Sequence, residues 1–451
     1  MDGKACVLLL VPAGALGGIN LLSFTTTDRF KGIRELPPGW HFVFASSTNS
    51  LSVRHGAWFR VRGGGAAADG SGPPELFIKK WDRETEELVA ETDTAEALRW
   101  RANLGAVWRD GLTPYRQSAS KDADDEGDKE LDWRRLTDRV GEPLLDRVLG
   151  AERRRDHWCL TSASSAARDM DDIPGLPREQ SAFQPEKELC LLPVDLKRTW
   201  RPGVTGRERT EAAQDRSWAL GDLLERYCGG DEAQLLGEMQ FAFLMVLTLN
   251  NNSCLEQWKR ILTLLLTCKK AVVRRAGLYV SFLQLLKLQL QHCQDAEGML
   301  FDLSDEGGAM LKKLLRKFRK GLEELEGKEK SDVVDELDEL EDFLKEEFGW
   351  QLDDSFVRRG MLELEDGERV EMDVGTRFDE DDETGDFAPM VVELTEEQAR
   401  SLGVTTGSVE RGEQAEQQGK KLAKPESGIA DVEVQEESED EVDLEDMDAR
   451  Y

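Results

Sequence analysis

The stretch Val272-Val-Arg-Arg-Ala-Gly-Leu-Tyr-Val-Ser-Phe-Leu-Gln-Leu-Leu-Lys-Leu-Gln-Leu-Gln291 is apolar around most of a helical circumference. A helix with so little polar face must lie among other helices, since any outer position would leave apolar surface in water. Its neighbours supply the partners. Leu220, Leu223, Leu224 and Tyr227 recur at i, i+3, i+4 and i+7, and Leu255, Trp258, Leu262 and Leu265 form a second stripe at helical spacing. Residues 308–348 predict two longer, charge-rich helices for the outside. Residues 209–348 therefore read as an all-α domain of about five or six helices.

Upstream the pattern changes to short β-prone runs. Val7–Val11, Trp40–Ala45 after the turn signal Pro37-Pro38-Gly39, Ala57–Val61 and Leu76–Trp81 each predict a strand. The glycine tract at 63–74 is followed by two prolines and another strand rather than a helix. It therefore predicts a flexible hairpin loop and not a phosphate cradle. Residues 94–108 and 131–149 predict helices, and the charged segment 117–130 a mobile insertion. The fold class is α+β with two domains. Residues 1–160 form a β-rich domain, 161–198 a linker, 199–350 the helical domain, and 351–451 a largely disordered acidic tail.

Charge sharpens that division. The 451 residues carry 59 Lys and Arg against 91 Asp and Glu, a net −32. Residues 322–451 hold 13 basic and 45 acidic side chains, so the whole excess lies there and the preceding body is neutral. A neutral body with an acidic end excludes a general phosphate-backbone binder, whose affinity rests on concentrated Lys and Arg. Composition after 350 cannot bury enough apolar surface to offset chain entropy. One island interrupts it, Phe387-Ala-Pro-Met-Val-Val-Glu-Leu394. Two readings stand for it: strand addition to a partner's sheet edge, or docking back onto its own protein.

Catalytic and metal chemistry find little support. The seven cysteines are widely spaced with no C-x-x-C pair, and His157 and Cys159 lack a second pair to complete a zinc site. Buried reduced thiols are the expectation. The run Cys6–Val11 ends at Pro12 and predicts a buried strand rather than a signal peptide. Phe241–Leu249 is too short to span a bilayer, so a soluble intracellular protein is expected. No nucleophile, base and orienting acid cluster in a motif, no P-loop is present, and neither cofactor nor metal is expected. Asp215 and Ser217 suggest helix capping. Trp258 lies on an apolar stripe and predicts burial, leaving Lys259 and Arg260 as possible partner contacts. The cluster Lys312, Lys313, Arg316, Lys317, Arg319 and Lys320 reads first as a solvated helix pairing with the acidic 323–347 stretch, and second as an RNA or import-receptor site.

Several motifs coincide in order with one family. They are Pro12-x-Gly14-x-x-x-Gly18-Ile19-Asn20 (the family often has Asp at the last position), Phe30-x-Gly32 and Pro37-Pro38-Gly39-x-His41-Phe42. In the helical half come Asp215-x-Ser217-Trp218-x-Leu220, Leu236-Gly237-Glu238-Met239-Gln240-Phe241-Ala242-Phe243, Glu256-Gln257-Trp258-Lys259-Arg260 and Leu278-Tyr279, and in the tail Ala388–Leu394. Across most of 5–394 the chain resembles the A1-cistron splicing factor family, assembly factors of the spliceosomal U-five snRNP, as a fungal-type member with an acidic extension. The resemblance implies an N-terminal β-sandwich-like domain, a C-terminal helical domain and a non-enzymatic role in cytoplasm and nucleus. It implies binding to the RNase-H-like and endonuclease-like domains of the large spliceosomal scaffold protein, which keeps the particle's helicase from docking early. No direct nucleic-acid or membrane partner is implied. Met390, Val391, Val392, Glu393 and Leu394 would bridge scaffold domains by edge pairing. The competing readings are an acidic chaperone for basic proteins such as histones, and an RNA-binding adaptor.

Overall fold

The computed structural model describes residues 5–48, 52–63, 74–116, 123–150, 158–167, 169, 188–293, 306–328, 330–350, 352, 359–363 and 369–373. The N-terminal half begins with β1 (Ala5–Leu10), β2 (Leu16–Ile19), β3 (Leu22–Thr25), β4 (Gly32–Leu36) and β5 (Gly39–Ser46). It continues with β6 (His55–Val61), β7 (Leu76–Asp82), β8 (Glu87–Ala90), α1 (Thr94–Asp110) and β9 (Leu112–Pro114). Helices α2 (Ala123–Leu136) and α3 (Glu142–Leu149) then precede β10 (Trp158–Thr161).

Ten of these strands form two five-stranded sheets, in the orders β8-β7-β1-β4-β9 and β10-β6-β5-β2-β3. Alternation along each strand assigns its two faces. From the first sheet, Ala5, Val7, Ile33 and Leu36 meet Ile19, Val43, Ala57, Phe59 and Val61 of the second, making the interior of a sandwich. The opposite face of β1 carries Cys6 and Leu8, which are covered by Leu104 and Trp108 of α1 and by Leu112. Asp93 starts α1 by accepting from the Ala95 N–H.

Three sequence expectations change here. Strands β6 and β7 do not make a hairpin, because they lie in different sheets. Residues 64–73 themselves lie outside the described ones. The helix expected at 131–149 is two helices: α2 stops at Leu136, and α3 starts afresh with Gly141 at its N-cap and Pro143 in its first turn. Residues 123–130, expected as part of a mobile insertion, are the first turns of α2.

The helical half contains α4 (Arg207–Gln214), α5 (Ser217–Tyr227), α6 (Glu232–Leu249) and α7 (Asn252–Leu266). After these come α8 (Lys270–Arg274), α9 (Ala276–Gln291), α10 (Glu306–Glu323) and α11 (Ser331–Phe348), eight helices among the described residues against five or six expected. The run at 272–291 is broken at Arg275, whose φ of −136° leaves the helical region. The most enclosed helix is instead α6, where every residue from Leu235 to Val246 is buried. Its stop is local: Asn250 is left-handed at φ +60°, and Asn251 caps α7 by accepting from the Cys254 N–H. Tyr227, placed on the α5 stripe, is 52% exposed. The two charge-rich outer helices appear as expected. Arg319 of α10 donates to Asp338 and Glu341 of α11, both at 2.6 Å.

Asp215 caps the helix that follows it, accepting from the Ser217 N–H at 3.1 Å, and together with Ser217 it also caps a distant one. The Asp215 carboxylate accepts from the Lys269 N–H at 2.9 Å and the Ser217 hydroxyl from the Ala271 N–H at 2.8 Å, so both serve the start of α8. Within the acidic segment at 353–386, where composition predicted no regular structure, Arg359–Glu363 and Arg369–Asp373 pair antiparallel as β11 and β12. No helix among the described residues is long and apolar enough to cross a membrane.

The outer face of the second sheet is not a surface. Trp58 of β6 packs tilted against Phe42 at 5.0 Å and stacks on Trp133 of α2 at 6.0 Å and on Phe241 of α6 at 6.2 Å. One apolar core therefore runs from β5 and β6 through α2 and α3 into the helical half, and takes in Leu189, Leu192 and Val194 of the expected linker. Because the halves share it, they are expected to unfold in a single urea transition, with tryptophan fluorescence and far-UV circular dichroism coincident. Two separated transitions would contradict the shared core.

Candidate interaction surface

The motif Leu236-Gly237-Glu238-Met239-Gln240-Phe241 lies in α6, with none of its residues at the surface. Glu238 is wholly buried. Its carboxylate accepts from Arg147 of α3 at 2.6 Å, from the Leu192 N–H at 2.9 Å and from Gln257 of α7 at 2.6 Å. Gln257 also donates to the Leu192 carbonyl at 2.9 Å. Two turns of chemistry are thus spent on pinning one strand-like segment and one N-terminal helix to α6. Gln240 works on the loop that follows α2, accepting from the Arg139 N–H at 3.0 Å and donating to the Arg135 carbonyl at 2.9 Å. Gly237 lets that loop approach, since a Cβ there would sit 2.6 Å from the Arg139 carbonyl oxygen.

Asn251 completes the junction by donating to the carbonyls of Thr161 at 3.0 Å and Ser164 at 2.7 Å. Arg54 reaches from the sheet to the Thr248 carbonyl at 3.0 Å. In the N-terminal motifs the same logic holds. Asn20, left-handed at φ +55°, accepts from the Phe42 N–H at 2.9 Å and donates to Tyr115 at 2.9 Å and to His41 at 3.1 Å. The second ring nitrogen of His41 bonds the Pro37 carbonyl at 2.8 Å. These motif residues build the fold and join its halves.

Of the candidate contact residues, Trp258 is buried as its stripe predicted, and its indole N–H donates to Gln289 at 2.8 Å. Lys259 is half-buried and pairs with Glu256 at 3.0 Å. Arg260 pairs with Asp169 at 2.7 Å, a contact between α7 and the segment after β10. Arg260 therefore holds the junction, and Lys259 is the more available of the two. Met390, Val391, Val392, Glu393 and Leu394 lie outside the described residues. The basic helix is largely committed within the chain: Arg319 pairs with α11 and the Lys312 ammonium lies 4.5 Å from the Trp350 ring centre.

The titratable groups are held in states unsuited to attack. Burial pushes the Cys6 thiol up to about 12 and the Cys228 thiol up to about 11, and raises Cys254, Cys268 and Cys293 as well. No cysteine forms a disulfide; five are buried, Cys159 is half-buried and Cys190 is exposed. Burial lowers His41 to about 4 from its ordinary 6.5. Among the described residues no group of three or more His, Cys, Asp or Glu is placed to hold a metal.

Comparison with known proteins gives the same picture for both halves. Residues 2–150 match the AAR2 N-terminal domain and residues 191–353 the AAR2 C-terminal repeat region. The chain is 26% identical over 317 residues to Protein AAR2 homolog of Mus musculus, covering 64% of this chain and 76% of that protein. It is 28% identical over 290 residues to the Oryctolagus cuniculus protein of that name (64% and 72% covered). The Caenorhabditis elegans protein of that name is 25% identical over 314 residues (65% and 80% covered).

Two predictions test the junction and the buried motif. Glu238→Leu leaves the Leu192 N–H, Gln257 and Arg147 facing an apolar group and should lower unfolding free energy by about 3–5 kcal/mol, with Glu238→Gln milder. Urea titration measures both, and equal stability of Glu238→Leu and wild type would remove the carboxylate from its role. His41 stays neutral in the fold to about pH 4, while the unfolded chain takes up that proton near 6.5. The unfolded state therefore binds more protons between those values, so His41's share of stability is lost on acidification, at about 1.4 kcal/mol per pH unit. Replacing His41 with Gln should flatten the fall in urea midpoint between pH 6.5 and 4; an unchanged slope would contradict the assignment.

Proposed function

The chain belongs to the A1-cistron splicing factor (AAR2) family and is thereby a splicing-related snRNP assembly factor; we propose that it chaperones the U-five snRNP by holding the large scaffold protein of that particle. The observation that carries this reading is the ordered pair of family matches, over 2–150 and 191–353, on one chain. Binding is directed at the scaffold's RNase-H-like and endonuclease-like domains and keeps the helicase from docking early, in cytoplasm and then nucleus. The role is non-enzymatic, in keeping with thiols that burial holds protonated.

The tail strand Met390–Leu394 supplies the bridge. Met390, Val392 and Leu394 fall on one side of an extended strand, and Val391 and Glu393 on the other. Pro389 stands just before the run, where a missing donor costs least. Lys259, on the helical half, is available for a further polar contact. The second reading, an RNA adaptor using Lys312–Lys320, is disfavoured by the intramolecular pairs of Arg319.

Val391→Pro together with Val392→Pro, in the full chain, removes two backbone donors of that run. Affinity for a scaffold fragment containing both domains should fall by at least about tenfold, measured by calorimetry. Undiminished binding would overturn the bridging strand. Binding that collapses with moderate salt and ignores the proline pair would favour an acidic chaperone for basic proteins instead.

A further inference from the structure

The sandwich is open along one side. Strand β3 ends one sheet and β9 the other, each with no further strand beyond it among the described residues. They line a common cleft of about 400 Å³. Its floor is apolar, formed by Ile19, Leu22, Phe24, Phe30, Ile33 and Leu112. Its rim carries Arg29, Arg109 and Arg116 against a single acid, Asp110. All three arginines are exposed. They come from the β3–β4 turn, the end of α1 and the residues after β9, so the fold gathers them on a chain whose other residues are in net acidic excess.

The two edges are not equivalent. Pro114 in β9 has no N–H to offer a neighbour, which blunts that edge. Along β3 the residues alternate: Leu22 and Phe24 are half-buried toward the floor, while Ser23 and Thr25 are exposed. A strand laid against β3 would drop alternate side chains onto Phe24, Phe30 and Ile33. Its intervening side chains would reach the rim, where guanidinium forks suit carboxylates.

We propose that this cleft captures an extended segment of a protein partner in which apolar side chains alternate with Asp or Glu, by strand addition to β3. Here the chain accepts a strand, whereas in the reading above it donates one; the two inferences rest on different residues and stand or fall separately. A nucleic acid would also meet the arginines, but a phosphate backbone has no apolar groups to set on the floor, whereas alternate side chains of a protein strand do.

The test uses the full-length protein and a fluorescent synthetic peptide alternating valine or leucine with glutamate, followed by polarisation. Binding is expected, with slowed hydrogen exchange at Leu22–Thr25. Arg29→Glu with Arg109→Glu and Arg116→Glu, all at exposed positions, should weaken it by at least about tenfold, and a peptide with lysine in place of glutamate should not bind. Circular dichroism of the triple variant confirms that it folds. The proposal is overturned by absent binding, by affinity that the triple variant leaves unchanged, or by an oligouridylate that displaces the peptide. Peptide binding seen only after Met390→Asp and Val392→Asp would make the chain's own segment the occupant and equally overturn it.

Discussion

A carboxylate with no access to water must be surrounded by donors, and Glu238 in the middle of α6 is such a group. Its donors come from three places far apart in sequence: Arg147, the Leu192 backbone and Gln257. Burial of α6 is consequently possible only once the N-terminal helices and the 189–194 segment have arrived. The apolar contacts follow the same arrangement, with Phe241 one turn from Glu238 and stacked on Trp58. What looks in sequence like two domains and a linker is, energetically, one body with a polar clasp at its centre.

Much of the architecture is legible from local pattern. Strands β1, β5 and β6 are buried along most of both faces and therefore announce themselves as apolar runs. The pair β2–β3 does not: Gly17 and Gly18 give β2 no propensity, and Gly18 is there because Phe44 covers it, a Cβ coming within 2.1 Å of that ring. The separate helix α8 is equally silent, because its start is capped by Asp215 and Ser217 from more than 50 residues upstream. Local reading likewise places β6 and β7 together, since nothing in a strand's composition says which sheet it joins.

The candidate site divides along the same line. Motif residues such as Glu238, Gln257, Asn20 and His41 are conspicuous in sequence and prove to be internal, holding elements in place. The arginine-rimmed cleft takes only Ile19 and Phe30 from those motifs: its other residues come from β3, β4, the end of α1, β9 and their flanks, and only the sandwich brings them together. The segment 387–394 is the reverse case, an apolar island readable in sequence because its surroundings are so strongly charged.

The stacking of Trp58 on Phe241 also has a history on the ribosome. Phe42, Phe44 and Trp58 leave the exit tunnel long before their covering helix exists. At ordinary elongation rates α6 follows roughly 10–40 s later. For that interval the nascent sheet presents an aromatic face with no partner, at a length where hydrophobic collapse takes well under a millisecond. Slow translation between β6 and α6 would lengthen the exposure of that face.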